Sequence, residues 1–173
     1  TNNVAYRTVI GVDPGFGHPT GIMVLGMYRG HVFELESYEL AGKENSDDRI
    51  KAIIAELAKS YGAEIVCESN SGGLHWMQHW RNVLHIQTTA QNFEKNPLKV
   101  FDRANMLRTL RTAFVQNRIH FESTILRSEL FAYNPAKDKN SSKGDLADAF
   151  IHAAFKLLMN TINTTESQEQ IVW

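Results

Sequence analysis

A chain of 173 residues fits one domain and can bury a core without staples. Hydrophobic residues at 43%, charged residues at 21% and a net charge of −1 describe an ordinary soluble globular protein. Its single cysteine, Cys67, excludes an internal disulfide and fits a reducing compartment, and neither a secretory signal nor an apolar run of roughly 20 residues marks it for a membrane.

Three strands are predicted first. RTVIGVD (7–13) is an apolar run ending in a carboxylate, TGIMVLGM (20–27) follows, and HVFELESYEL (31–40) alternates apolar and polar residues. Gly and Pro turns separate them, which predicts an antiparallel meander. The period then changes. Ser46-Asp47-Asp48 precedes Ile50, Ile53, Ile54, Leu57, Ala58 and Tyr61, an amphipathic helix closed by Gly62. AEIVCES (63–69) reads as a buried strand, LHWMQHW as a short helix and LHIQTT (84–89) as a fifth strand. A long helix is expected from near Pro97, with Leu98, Phe101, Met106, Leu107, Leu110 and Phe114 inward. After IHFE, TILRSELFAY and a polar connection comes a last apolar helix over 146–159, and then a frayed tail. The order predicts an α/β protein with a mixed five-stranded sheet: three antiparallel strands, then parallel ones, with helices on both faces. The first strand is apolar on both sides, so it is expected at the centre, beside the strand over 63–68.

Three places put an acid where acids are awkward. Asp13 ends an apolar strand before Pro-Gly, Glu68 ends another before Ser-Asn-Ser-Gly-Gly, and Asp145 and Asp148 open an apolar helix. Residues three apart share a helix face, so the last two point the same way. Ser142 to Asp145 also resembles a capping box. Each acid alone has an ordinary explanation, as a turn cap, an ion-pair partner or a first-turn helix acid. Asp148 is the hardest to explain away, because it interrupts an apolar face. Neighbouring parallel strands present their C-terminal ends side by side, and a helix start can join them. Carboxylates gathered there repel one another. Mg²⁺ or Mn²⁺ relieves that repulsion, and two such ions roughly 3.5–4 Å apart can activate water against a phosphodiester.

Charge is unevenly spread. Residues 95–127 carry seven Lys and Arg against two acids, whereas 34–48 carry six acids against one lysine. The basic stretch is either a face that follows phosphates or a solvated surface. His75 and His79 have metal-ligand spacing but no third Cys or His partner at zinc-site spacing, so a surface or core-edge role is the expectation for them, and packing of the short helix for Trp76 and Trp80. Cys67 is expected as an inert core thiol.

GVDPG (11–15), ES-x-x-GG (68–73) and GDLADAFIHAA (144–154) together resemble the three acidic motifs of the RNase H-like nucleases. More closely, the chain resembles the nuclease domain of the large terminase subunit of tailed bacteriophages. Lys99 through Arg103 and FVQNRIHF (114–121) match further segments of that family, and the likeness covers 8 to 159. The resemblance implies an RNase H-like nuclease domain over 1–160 with a flexible tail over 161–173. It also implies endonucleolytic cutting of concatemeric double-stranded DNA during viral packaging, in the cytoplasm of a bacterial host. Asp13, Glu68, Asp145 and Asp148 are then both the catalytic acids and the ligands of two Mg²⁺ or Mn²⁺ ions, with Asp13 bridging. Lys99, Arg103 and Lys143 are the candidates for phosphate contacts. A portal ring and a small terminase subunit are the implied partners of the full-length protein.

Departures from the pattern are informative. The family's doubled acid is reduced to Gly144-Asp145, which passes the extra carboxylate to Asp148. FGHPT is an unusual turn after the first acid and leaves His18 without a role. No G-x-x-x-x-G-K-[ST] phosphate loop is present, so an ATPase domain is expected on residues outside this chain. Three rivals stay open. Holliday-junction resolvases share the Asp-Pro-Gly opening. Actin and sugar-kinase ATPases share a G-x-D-x-G loop that Asp13, Gly15, Gly17 and Thr20 fit loosely. A non-catalytic DNA-binding module that kept the fold is the third.

Overall fold

Strand β1 (Arg7–Asp13) is buried along its length from Thr8 to Asp13, as a chain apolar on both sides requires. The structure is a computed structural model that describes residues 7–68, 73–91, 103–133 and 145–169, those at 103–104 and 160–169 by backbone alone. β1 pairs antiparallel with β2 (Thr20–Tyr28), and β2 pairs antiparallel with β3 (His31–Leu40). On its other side β1 runs parallel to β4 (Glu64–Glu68), which runs parallel to β5 (Thr88–Gln91). The expected meander and the central place of β1 are both present.

The sheet differs from expectation in two places. It has six strands, in the order β5-β4-β1-β2-β3-β6, because Ile119–His120 adds a short β6 parallel to β3. Two residues are too few to show alternation, and β6 is held by backbone pairing such as Val32 N–H to Arg118 O at 2.7 Å. β5 also begins at Thr88, four residues later than predicted. The helix α2 (Gly73–Gln78) runs on into a π-helical turn, His79–Val83. Leu84 and Ile86 still donate back to His79 O and Trp80 O, so they reach the core from that turn and not from a strand.

Side chains alternate across the sheet, and each face carries its own core. Ile10, Val12, Ile22, Val24, Ile65 and Cys67 meet α1 (Asp47–Tyr61) and the α2 segment. Trp76 and Trp80 are buried there while His75 is exposed, which is the packing role expected of the tryptophans. Cys67 is a free, fully buried thiol, pushed well above its ordinary pKa by burial and then by the charges of Asp13 and Glu68.

Val9, Met23, Leu25 and Val66 meet α3 (Arg103–Val115), α4 (Thr124–Ala132) and the long α5 (Asp145–Glu169). Met106 and Leu110 face inward as predicted, and Leu107 is packed against the core. Phe114 instead sits at the rim, 39% exposed, with Ala113 taking the buried position. Leu98 and Phe101 lie outside the described residues. α5 continues as helix to Glu169, through much of the stretch predicted as a tail. Among the described residues no helix is long and apolar enough to cross a membrane.

Two glycines let α5 lie directly on the strands. A Cβ on Gly11 would stand 2.0 Å from Ala149 O, and one on Gly21 would stand 2.1 Å from Asp145 O. Gly21 is the cross-strand partner of Asp13. The first turn of α5 is therefore seated beside the C-terminal end of β1, which decides where Asp145 and Asp148 point.

Candidate active site

The strand register places one row of residues across the sheet at that end. Glu39 on β3 pairs with Gly21, and Gly21 pairs with Asp13. One step beyond the Val12↔Cys67 pair lies Glu68, which pairs with Gln91 on β5. All belong to the face covered by α5, so Asp13 and Glu68 project toward Asp145 and Asp148.

Asp13 is 6% exposed and Asp145 5% exposed, while Glu68 and Asp148 are half-buried. Burial comes first in pushing the Asp13 carboxyl well above the usual carboxylate range. The charges of Asp148, Glu68 and Asp145 act in the same direction, as does a hydrogen bond with Glu68. A hydrogen bond between two carboxyl groups needs a proton on one of them. Asp145 is raised as well, by burial first; His18 opposes the rise, and Glu39 and Asp148 add to it. The four acids predicted from sequence thus lie on one side of the sheet, near enough for Glu68, Asp145 and Asp148 each to act on Asp13. Among the described residues, no three His, Cys, Asp or Glu side chains stand around a shared point ready to hold an ion. The donors are nonetheless all carboxylate oxygens crowded into mutual repulsion, a set that suits a hard divalent cation.

The surroundings add residues that sequence reasoning did not assign. His18 Nδ1 lies 2.8 Å from Asp145 Oδ1. Tyr133, just past α4, donates its hydroxyl to Asp148 Oδ1 at 3.2 Å. Glu129 on α4 accepts the Ala147 backbone N–H at 2.7 Å and one from Leu146, satisfying donors that the start of a helix leaves open. That capping role was expected of Ser142, which lies outside the described residues, as do Lys99 and Lys143. Arg103 opens α3, and its side chain is not described. Of the basic stretch, Arg108, Arg111 and Arg127 are exposed, whereas Arg118 donates to Gly30 O at 2.8 Å.

This architecture has known counterparts among solved structures. It is similar to the large terminase nuclease of thermophilic phage G20c with bound zinc, at a TM-score of 0.68 and 15% identity over 86% of this chain and 80% of that one. The chain has the RNase H-like fold of a large-terminase nuclease domain. The nuclease domain of bacteriophage SPP1 with bound Mn superposes at a TM-score of 0.56, with 14% identity over 87% of this chain and 86% of that chain. The large terminase of another thermophilic bacteriophage gives a TM-score of 0.65 and 14% identity over 84% of this chain. This chain spans 38% of that longer protein. No protein-family profile and no curated protein matches the sequence.

Proposed function

We propose that the chain is a metal-dependent endonuclease domain of a viral DNA-packaging terminase, acting on double-stranded DNA. The single observation that carries this reading is the state of Asp13, a buried carboxyl crowded by three further acids from two other elements. Nothing in a stable core calls for such crowding, since buried charges are ordinarily paired with opposite ones. Asp13, Glu68, Asp145 and Asp148 are the groups that would hold one or two Mg²⁺ or Mn²⁺ ions, with Asp13 central. When bound, such ions neutralise the acids, polarise a phosphodiester and make water a competent nucleophile. The chain's own part is to hold the four carboxylates on rigid strand and helix ends, with Gly11 and Gly21 setting the approach of α5.

Lys99, Arg103 and Lys143 are assigned to phosphate contacts, which position a duplex without reading its sequence. Terminase nuclease folds carrying zinc and manganese support the class of reaction. A portal ring and a small terminase subunit are the proposed partners of a longer protein working in the cytoplasm of a phage's host. Plasmid and linear duplex DNA incubated with Mn²⁺ or Mg²⁺ test the reading. Cleavage that stops with chelator and with Glu68→Gln or Asp145→Asn supports it. Cleavage indifferent to all three overturns it. Preference for a four-way junction would move the substrate to the resolvase class.

A further inference from the structure

We infer that His18 is a positioning residue: its Nδ1–H holds one oxygen of Asp145 and leaves the other turned toward the cation. The inference rests on the nuclease reading of the carboxylate cluster. Both groups facing Nδ1 are acceptors, Asp145 Oδ1 at 2.8 Å and the Pro19 carbonyl at 3.1 Å. Nδ1 therefore carries the hydrogen, and the tautomer is set by its surroundings. A carboxylate on the first turn of a helix is free to rotate about χ2, and a fixed donor on one oxygen removes that freedom. Groups that hold a ligand in this way govern metal affinity at one remove.

The loop that presents His18 is itself built for the purpose. A Cβ on Gly15 would lie 2.1 Å from His18 O and 2.2 Å from Pro19 O, so only glycine allows the turn to fold back on itself. Gly15 N–H donates to Thr20 Oγ1 at 2.9 Å, and Thr20, fully buried, donates to Asn45 Oδ1 at 2.6 Å. The Asn45 amide donates in turn to Gly15 O at 3.0 Å and to His18 O at 2.8 Å. One asparagine from the segment ahead of α1 thus clamps both ends of the turn and fixes the backbone beneath the imidazole. The braced turn places a histidine over an acid 127 positions away.

Three His18 variants and one double variant separate this role from others. The amide nitrogen of asparagine falls where Nδ1 stands, and that of glutamine falls where Nε2 stands. Mn²⁺ binding to the intact chain is measured by titration calorimetry, beside thermal melting and plasmid cleavage. His18→Ala is expected to lower Mn²⁺ affinity about tenfold with Tm little changed, at the lower end of the 10–100-fold known for such outer partners. His18→Asn is expected to stay within about threefold of the wild type on the same scale, and His18→Gln to behave like alanine. Asn45→Ala added to His18→Ala is expected to cost affinity no further, because both act through one contact. Equal affinities in all three His18 variants and the wild type overturn the inference while leaving the nuclease reading intact. Rescue by glutamine and not by asparagine overturns it by moving the role to Nε2. A wild-type chain that neither binds Mn²⁺ nor cuts DNA overturns both.

Discussion

Strand β4 carries a glutamate at each end on the same face of the sheet, and α5 lies across both. At one end Glu64 is 8% exposed and surrounded by donors: Arg7 at 2.6 Å, Gln87 at 3.3 Å and Lys156 of α5 at 3.9 Å. At the other end Glu68 shares a hydrogen bond with Asp13, beneath Asp145 and Asp148 of the same helix. Four residues along one strand separate a carboxylate matched by the protein's own cations from one crowded by its own acids. The first arrangement stabilises the fold. The second opposes it, and it is relieved by a proton or by a cation from outside. On the proposed function, the second is kept for chemistry.

Asp13→Asn breaks the contrast most severely. It keeps the shape and removes the central charge, so metal-stimulated cleavage is expected to fall by more than about 100-fold, beyond the range for a merely outer group. The same change is expected to raise the stability of the metal-free protein by about 1 kcal/mol, within the usual gain from relieving a strained functional site. It should also erase the rise in Tm that saturating Mn²⁺ gives the wild type. Parallel melts and digests check all three effects, and a loss of activity with lower stability would contradict the account. Gly21→Ala attacks the geometry and leaves the charges alone. Its Cβ would meet Asp145 O at 2.1 Å, so α5 must lift. A loss of about 2 kcal/mol is expected, the ordinary scale of overpacking, with a fall in cleavage larger than the loss of folded protein explains.

Glu64→Gln tests the quiet end. Removing one partner of a mostly buried ion pair takes the Glu64 charge away from Lys156 and Arg7. Arg7 is 36% exposed and well screened, which trims the penalty to about 1–2 kcal/mol. Denaturant melts should show that loss while cleavage per folded molecule stays unchanged. A cleavage defect as large as the stability defect would mean that the two ends of β4 are not separable.

The acidic end of this contrast was legible in the sequence, because it is written in local pattern, whereas the Glu64 end was not. An apolar strand that ends in an acid marks both Asp13 and Glu68, and spacing three apart puts Asp145 and Asp148 on one helix face. The apolar character of 7–13 on both sides gave its central position. What was illegible depends on contacts between distant segments. His18 meets Asp145 across 127 residues, Glu129 caps α5 from another helix, and Glu39 joins the row only through the β2–β3 register. β5 was misplaced because a π-helical turn keeps Leu84 and Ile86 apolar outside any strand. β6 has no period to read. Pattern announces residues that sit oddly in their own element and is silent about those made functional by a neighbour.

Tyr133→Phe makes the finest test of that last point. The phenol lies just beyond α4 and donates to Asp148 Oδ1 at 3.2 Å, a long hydrogen bond onto a half-buried carboxylate. Deleting one hydroxyl leaves ring packing in place, so the expected stability change is within about 1 kcal/mol. If Tyr133 only braces the core, cleavage should follow stability and barely move. If it orients Asp148 for a cation, cleavage at limiting Mn²⁺ should fall by about tenfold and recover as Mn²⁺ is raised, because the lost affinity is offset by mass action. Glu129→Gln, within α4, serves as the control. It keeps an oxygen to accept the Ala147 N–H while changing charge, and so it separates a brace on the backbone of α5 from a hand on its carboxylates.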